Sequence, residues 1–330
     1  MSDKWAAIRD ASPDASALLQ AAMREPSSPG NAVHEQPRCR CCASPRLSSR
    51  GKLPDAQIFA GARLSRPVPG GVLYRCLDCG FVFRAPILSK TTYDELYRAG
   101  DSSTWDEIQR KDHELVREAL CAHLASGDIL DVGCSAGGLL MPLVDRFSTF
   151  GAEINLDAAR LAETRGIRIV AHDLDEVAQL PRLFDAVVSC DVIEHLANPL
   201  EFMQMLVAKT SSHGFIVIST GNPAAWSWQI LGSRFWYCYL PEHLSFVSPA
   251  WFDHFADYLG VDIVLSRRFV YSPDFPWHGK LLRLALMALY RLSPRLYYRL
   301  LPPAKRHNIP VGRGITRDHF VTVLRKRPAN

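Results

Sequence analysis

No run of about eighteen apolar residues occurs in the 330-residue sequence, which argues against a membrane-spanning helix. The opening residues, MSDKWAAIRDASPDASALLQ, lack the basic start and apolar core of a secretory signal, so a cytoplasmic location is expected. Residues 39–79 lack a dense basic patch interleaved with aromatics, and nucleic acid is not an expected partner. Acidic residues nearly vanish toward the end. Residues 266–330 hold 14 Lys/Arg against 2 Asp/Glu, a net of +12, while the rest of the chain carries −8. A basic tail on an acidic body calls for an anionic partner at the tail. With 48% hydrophobic and 22% charged residues, the chain reads as globular and long enough for one large domain or two smaller ones. Nine cysteines without an export signal point to thiols or metal rather than disulfides.

One stretch organises the chain: DILDVGCSAGG, residues 128–138. Ile129, Leu130 and Val132 have a β bias and lead into a turn holding Gly133, Gly137 and Gly138. A helical pattern follows through Leu139, Leu140, Met141, Leu143 and Val144. Strand, glycine turn and helix together bring backbone amides up to a ligand in doubly wound sheets. The G-x-G-x-x-G of nicotinamide enzymes is absent, and an acid, Asp131, precedes the first glycine.

Two C-x2-C knuckles, Cys39/Cys42 and Cys76/Cys79, suit four thiolates around a tetrahedral Zn²⁺. Their 33-residue separation requires a small β unit between them, and Cys41 is a spare that could replace either neighbour. Four thiolates leave no open position, so the zinc is expected to be structural.

Further along, FGAEIN reads as a second strand ending in Glu153, where a carboxylate can accept both hydroxyls of a ribose. A third strand ends in AHDLDE, whose Asp173 is equally suited to cap the next helix. FDAVVSCDVIEHLANP places Cys190 and Asp191 at a strand's carboxyl end, with Glu194 and His195 just beyond. Residues 221–249 are dense in aromatics and read as a lid and substrate wall. The late segment KLLRLALMALYRLSPRLYYRLL spaces Lys280, Arg283, Arg291, Arg295 and Arg299 along a helix with a wide apolar face, broken at Pro294. Such a helix could lie in an anionic membrane interface or pack over the substrate pocket.

The glycine turn and its Asp131 resemble the first motif of class I S-adenosylmethionine (SAM) methyltransferases, D-x-G-x-G-x-G, with Ser135 in place of the middle glycine. The pattern F-D-x-V-x-x-x-x-V-x-E-H resembles the fourth motif of a group that includes ubiquinone-type O-methyltransferases and nucleotide-sugar methyltransferases. The resemblance implies SAM as cofactor, held around Asp131, Gly133, Ser135 and Gly137. It implies Asp131 near the methionine amino group, Glu153 on the ribose, and Asp173 with Leu174 at the adenine. Cys190 and Asp191 would flank the sulfonium. It also raises a divalent-metal triplet of Asp191, Glu194 and His195, against which a structural hydrogen-bond pair is the ordinary reading.

PEHLSFVSP resembles a segment of zinc-containing nucleotide-sugar C-methyltransferases, and the likeness brings their active-site Glu-His pair onto Glu242 and His243. His243 is the first choice of base and His195 the second; the alternative is that His243 only pins the lid. Those enzymes continue into a further large domain, whereas this chain has about fifty basic and apolar residues before a last strand.

The expected architecture is α/β, a seven-stranded, mostly parallel Rossmann-like sheet with a small N-terminal zinc-binding β subdomain. A disordered segment (1–37) precedes that subdomain (38–90), a helical cover (91–126) and the methyltransferase domain (127–330). The last carries the lid (221–249) and a basic amphipathic insertion (269–316). Methyl transfer to oxygen or carbon of a small-molecule acceptor is expected, with a saccharide or lipid-linked glycan first and a quinone or polyketide phenol second. A zinc- and nucleic-acid-binding protein and an inactive scaffold are the readings of another class. The enzyme would be cytoplasmic or peripheral at the inner face of a membrane. The sequence is silent on oligomeric state.

Overall fold

The computed structural model describes residues 37–98, 110–271, 276–300 and 311–328. The segment expected to be disordered lies outside these residues apart from Pro37, as do residues 99–109 of the expected helical cover.

Strands β1 (Leu47–Lys52), β2 (Ala56–Phe59), β3 (Ala62–Val68), β4 (Val72–Cys76) and β5 (Val82–Ala85) fill the interval around the cysteines, and α1 (Lys90–Arg98) follows. The strands β1, β4 and β5 pair antiparallel, and β2 with β3 forms a separate hairpin. Tyr93 and Leu96 of α1 pack on Phe59 of that hairpin.

The main domain runs through α2 (Lys111–His123), β6 (Asp128–Val132), β7 (Ser148–Ala152), α3 (Leu156–Thr164), β8 (Arg168–Ala171) and α4 (Leu174–Gln179). It continues with β9 (Phe184–Cys190), α5 (Pro199–Lys209), β10 (Thr210–Gly221), α6 (Trp226–Leu231), β11 (Ser245–Phe246) and α7 (Pro249–Leu259). The strand β12 (Val261–Phe269), α8 (Trp277–Leu292), α9 (Pro294–Leu300) and β13 (His319–Lys326) complete it. No helix among the described residues is long and apolar enough to cross a membrane.

Seven strands form one sheet in the order β12-β13-β10-β9-β6-β7-β8. The pairs from β10 through β8 are parallel, and β13 runs antiparallel to both neighbours. The chain leaves β6 toward β7 and β8 on one side, then returns to build β9 and β10 on the other. A crevice opens at such a switch, at the carboxyl ends of β6 and β9. Side chains alternate across the sheet with the period of two that a strand imposes. Ile129, Val188, Val217 and Val323 face α2, through Leu115, Val116 and Leu120. Leu130, Val187, Ile216 and Leu324 face α5 and α7, through Met203, Leu206 and Trp251.

The structure corrects the sequence at two places. The helix expected after the glycine turn is not formed: residues 138–146 make turns around one 3₁₀ turn at Met141–Leu143. Pro142 has no N–H to give to Gly138, so an α-helix cannot propagate there. Arg117 reaches in from α2 and donates to the carbonyls of Gly138 and Leu139 instead (3.5 and 3.4 Å). The second concerns the lid. Its last residues form β11, which pairs antiparallel with β5 and so becomes a fourth strand of the cysteine-bearing sheet.

Candidate active site

The glycine turn is held rigidly from both sides. Gly133 has φ +83°, and a Cβ there would meet Val192 Cγ2 at 2.3 Å. Gly137 has φ +79°, and its Cβ would strike Ile167 Cδ1 at 2.3 Å. Gly137 therefore serves the packing of the turn against Ile167 and Ala162. Ser135, standing where the motif has glycine, adopts φ +47° all the same. The turn keeps its left-handed geometry and carries strain of order 1 kcal/mol for doing so. Glu153 fixes it from the end of β7: one carboxylate oxygen accepts from the Ser135 amide and the other from the Asn155 amide, both at 2.8 Å. Asn155 in turn caps α3.

Arg110, His113, Asp131, Gly133, Ser135 and Cys190 are among the residues lining the crevice beyond this turn. Among the described residues, Asp131 Oδ1, Ser135 Oγ and His113 Nδ1 are buried there without a hydrogen-bond partner, as is Asp191 Oδ1 beside Arg110. Burial, with Glu153 close by, pushes Asp131 up to about 7. Burial also carries Asp191 up to about 7, against the pull of Arg110. His113 is pushed down to about 4 by burial and by Arg110. Arg110 grips Asp112 through two hydrogen bonds (3.1 and 2.5 Å) and reaches across to Asp191. Buried acids with idle oxygens suit a ligand that brings positive charge and hydrogen-bond donors. The ammonium and sulfonium of SAM meet that description, so the residues present fit the group.

Of the nine residues expected at the cofactor, Asp131, Gly133, Ser135 and Cys190 line the crevice. Glu153 reaches it through the Ser135 amide, Asp191 through Arg110, and Gly137 lies behind the turn. Asp173 caps α4 by accepting from the Glu176 amide (2.8 Å), and Leu174 is the first residue of that helix. Arg110, Asp112 and His113 were missed in the sequence. Their signal was faint: a charged RKDH run at a helix start, with nothing to show that Asp112 would be wholly buried.

A second cluster lies past β9. Ligand-capable atoms of Glu194, His195 and His243 fall within 4.8 Å of one another. Asp191, the third member of the expected metal triplet, is instead paired with Arg110. Both oxygens of Glu194 are occupied, by the hydroxyls of Tyr237 and Thr220. His243 Nδ1 lies 2.9 Å from the Tyr237 carbonyl. A carbonyl only accepts, so Nδ1 carries the proton and Nε2 keeps the lone pair. Burial, reinforced by His195, holds His243 well below the usual histidine range, hence neutral. His195 Nδ1 has the Tyr97 hydroxyl at 2.6 Å and the Glu242 carbonyl at 3.2 Å. Among the described residues Glu242 makes no hydrogen bond to His243 and its Oε2 is buried without a partner; burial raises its pKa.

A ring wall continues from Tyr237. His319 stacks on Tyr271 (4.4 Å) and lies near Trp236 and Tyr237 (6.2 and 5.0 Å). Arg110 sits over the Tyr271 ring at 5.8 Å, which joins this wall to the crevice. Nothing in the sequence singles out His319, because a lone histidine at a strand start carries no pattern.

In the N-terminal sheet, Cys39, Cys42, Cys76 and Cys79 converge with all four sulfurs within 4.8 Å of one another, and Cys41 is not among them. The pairs Cys39–Cys79 and Cys42–Cys76 are 3.5 Å apart. Tetrahedral thiolates at the usual Zn–S length would stand about 3.8 Å apart. The donor set thus fits Zn²⁺. Both knuckles use a left-handed residue, Gly80 (φ +74°) and Ala43 (φ +56°). Arg40, between the first pair, donates to the carbonyls of Ala197, Arg84 and Leu244 (2.6, 2.9 and 3.0 Å). The cysteine knuckle therefore holds the backbone on either side of the His195 and His243 cluster.

Residues 105–265 match the family model described as a methyltransferase domain. The mitochondrial ubiquinone biosynthesis O-methyltransferase of Arabidopsis thaliana is 31% identical over 183 residues, covering 48% of this chain and 57% of that protein. The ubiquinone biosynthesis O-methyltransferase of Roseobacter denitrificans is 32% identical over 169 residues, covering 46% and 66%. The chain thus spans less than two thirds of the length of these relatives. Among solved structures, the magnesium protoporphyrin IX methyltransferase of Synechocystis PCC 6803 with bound SAM overlays with a TM-score of 0.45 at 13% identity, over 74% of this chain and 99% of that one. A switch-point crevice on a seven-stranded sheet, an acid-led glycine turn and the family match agree. Residues 105–265 of this chain form a SAM-dependent methyltransferase domain on a class I, Rossmann-like sheet.

Proposed function

We propose that the protein transfers a methyl group from SAM to an oxygen of a small phenolic or quinone-type acceptor. One observation carries the reading: Arg110, which lines the crevice beside its buried acids, also sits over the Tyr271 ring, and Tyr271 belongs to a cluster of rings with His319, Trp236 and Tyr237. Flat rings favour a flat acceptor. The names of the curated relatives point the same way. They favour the phenol over the saccharide or lipid-linked glycan to which the lid motif gave priority.

In this reading the glycine turn and Glu153 hold the cofactor, and Asp131 balances its charge. When bound, SAM supplies a methyl already activated by its sulfonium. What remains for the protein is positioning and proton removal. His243 is neutral with an unprotonated Nε2 and takes the acceptor proton; His195 is the second choice. Arg110 ties Asp191 to the ring wall. The four cysteines hold a structural Zn²⁺, and through Arg40 they keep the histidine cluster in place. Whether the acceptor is met in the cytoplasm or at a membrane turns on the basic C-terminal segment.

The test is incubation with isotopically labelled SAM and two acceptor types, a catechol with an apolar tail and a nucleotide sugar. O-methylated catechol is expected. Transfer to the sugar alone would reverse the acceptor assignment, and failure to bind SAM would favour an inactive scaffold.

A further inference from the structure

The helices α8 and α9 were open to two readings, packing over the pocket or lying on a membrane. The structure shows two apolar faces where one was expected. Met287, Tyr290 and Tyr297 turn inward and join a core with Trp228, Phe235 and Tyr237 of the lid. The Tyr290 hydroxyl meets that of Tyr239 at 2.6 Å, and Arg283 donates to the Arg313 carbonyl (3.0 Å). That accounts for one side of the helix pair.

The other side faces solvent and is also apolar. Trp277, Leu281, Ala285, Ala288 and Leu292 follow one another at intervals of three or four, and all are exposed. Residues so spaced form a single stripe along a helix. Trp277 is 73% exposed and Leu292 is 85% exposed. Leu282 on α8, and Leu296 and Leu300 on α9, extend the exposed surface. Contiguous exposed apolar surface, as opposed to scattered single residues, marks a site of interaction with a partner or a membrane. Its charge is one-sided: Lys280, Arg283, Arg291, Arg295 and Arg299 lie within residues 277–300, and Asp and Glu are absent from that stretch. On α8, Lys280 and Arg291 flank the apolar stripe, while Arg295 and Arg299 are exposed on α9.

We infer that the outward face of α8 and α9 docks on a bilayer containing anionic lipid, with Trp277 and the leucines in the interface and the arginines on the headgroups. A second copy of the chain would bury the leucines equally well, but it would bring Lys280, Arg291, Arg295 and Arg299 against the same four cations. A lipid surface of opposite sign satisfies both parts of the face. Because the inward face of the same helix carries the lid core, docking sets the lid and ring wall close behind the membrane surface. The inference goes beyond the methyl-transfer reading and stands apart from it, since vesicle binding requires neither SAM nor an acceptor.

The experiment is co-sedimentation of the full-length protein with vesicles of phosphatidylcholine, alone or with about a third phosphatidylglycerol, alongside light scattering of the protein in solution. Binding to the anionic vesicles is expected to be at least tenfold tighter than to the neutral ones. At about 1 kcal/mol per basic residue, replacing Arg291, Arg295 and Arg299 by Gln should weaken it roughly a hundredfold. L281E combined with L292E should weaken it at least tenfold while affinity for S-adenosylhomocysteine stays as in the wild type, which verifies the fold. Vesicle binding indifferent to the leucine pair overturns the docking face. So does a wild-type dimer that the leucine pair converts to monomer while neither form binds vesicles.

Discussion

Glu153→Ala is the substitution that probes most of the construction at once. The carboxylate is 6% exposed and accepts two backbone amides, Ser135 and Asn155, at 2.8 Å each. Read as a loop-edge acid, it should affect the ligand and spare the fold. The structure predicts both effects. Truncation leaves the buried Asn155 N–H and the part-buried Ser135 N–H unpaired, at up to about 1–3 kcal/mol apiece. Relief of a buried charge offsets part of this, since burial raises the pKa of Glu153. A net loss of about 2–3 kcal/mol remains, which lowers Tm by roughly 5–10 °C in a domain of this size. The turn then loses the brace that holds Ser135 left-handed, and S-adenosylhomocysteine should bind at least tenfold more weakly. Scanning calorimetry and isothermal titration read the two effects separately. A variant that melts within a degree of the wild type and binds with the same Kd would refute the reasoning. A lower Tm with unchanged affinity would leave Glu153 as scaffolding alone.

Three further outcomes are expected. The pKa of Asp131 is raised from 3.8 to about 7, so the folded state keeps that proton longer than the unfolded chain, and its stability contribution falls as pH climbs from about 4 to about 7. Cationic SAM prefers the ionised form; its affinity should rise up to pH 7 and then level, Asp131→Asn should flatten the rise, and a flat wild-type profile in titrations at pH 6, 7 and 8 would count against the assignment. Cys76→Ser should release zinc and lower the melting temperature, read by metal analysis and calorimetry, and unchanged metal content would remove the zinc proposal. His243→Ala should bind S-adenosylhomocysteine within about twofold of the wild type yet lose about a hundredfold or more in turnover; full activity would pass the base to His195.

Much of the sheet was legible because its signals are local. The alternation of Ile129 with Leu130 and of Val187 with Val188 is set by the pleat, and an acid-led glycine turn needs only neighbouring residues to be recognised. Ser135 shows a limit: serine stands where the motif has glycine, and only Glu153, eighteen residues on, shows how a non-glycine residue is held left-handed there. Pro142 shows another, since the periodic leucines around it outweighed one missing N–H in the sequence reading but not in the chain.

The sequence by itself determined the strand order's ingredients, the glycine turn, the cysteine knuckles and the charge asymmetry, because each depends on spacing within a few residues or on composition. Tertiary structure alone decided which distant groups meet. It brought Arg110 to Asp191, closed Glu194, His195 and His243 into one cluster, and set His319 among the rings. It made the end of the lid a strand of the cysteine-bearing sheet, and it gave α8 a second apolar face. Burial and pairing across the chain depend on how the sheets pack, and no local pattern encodes that.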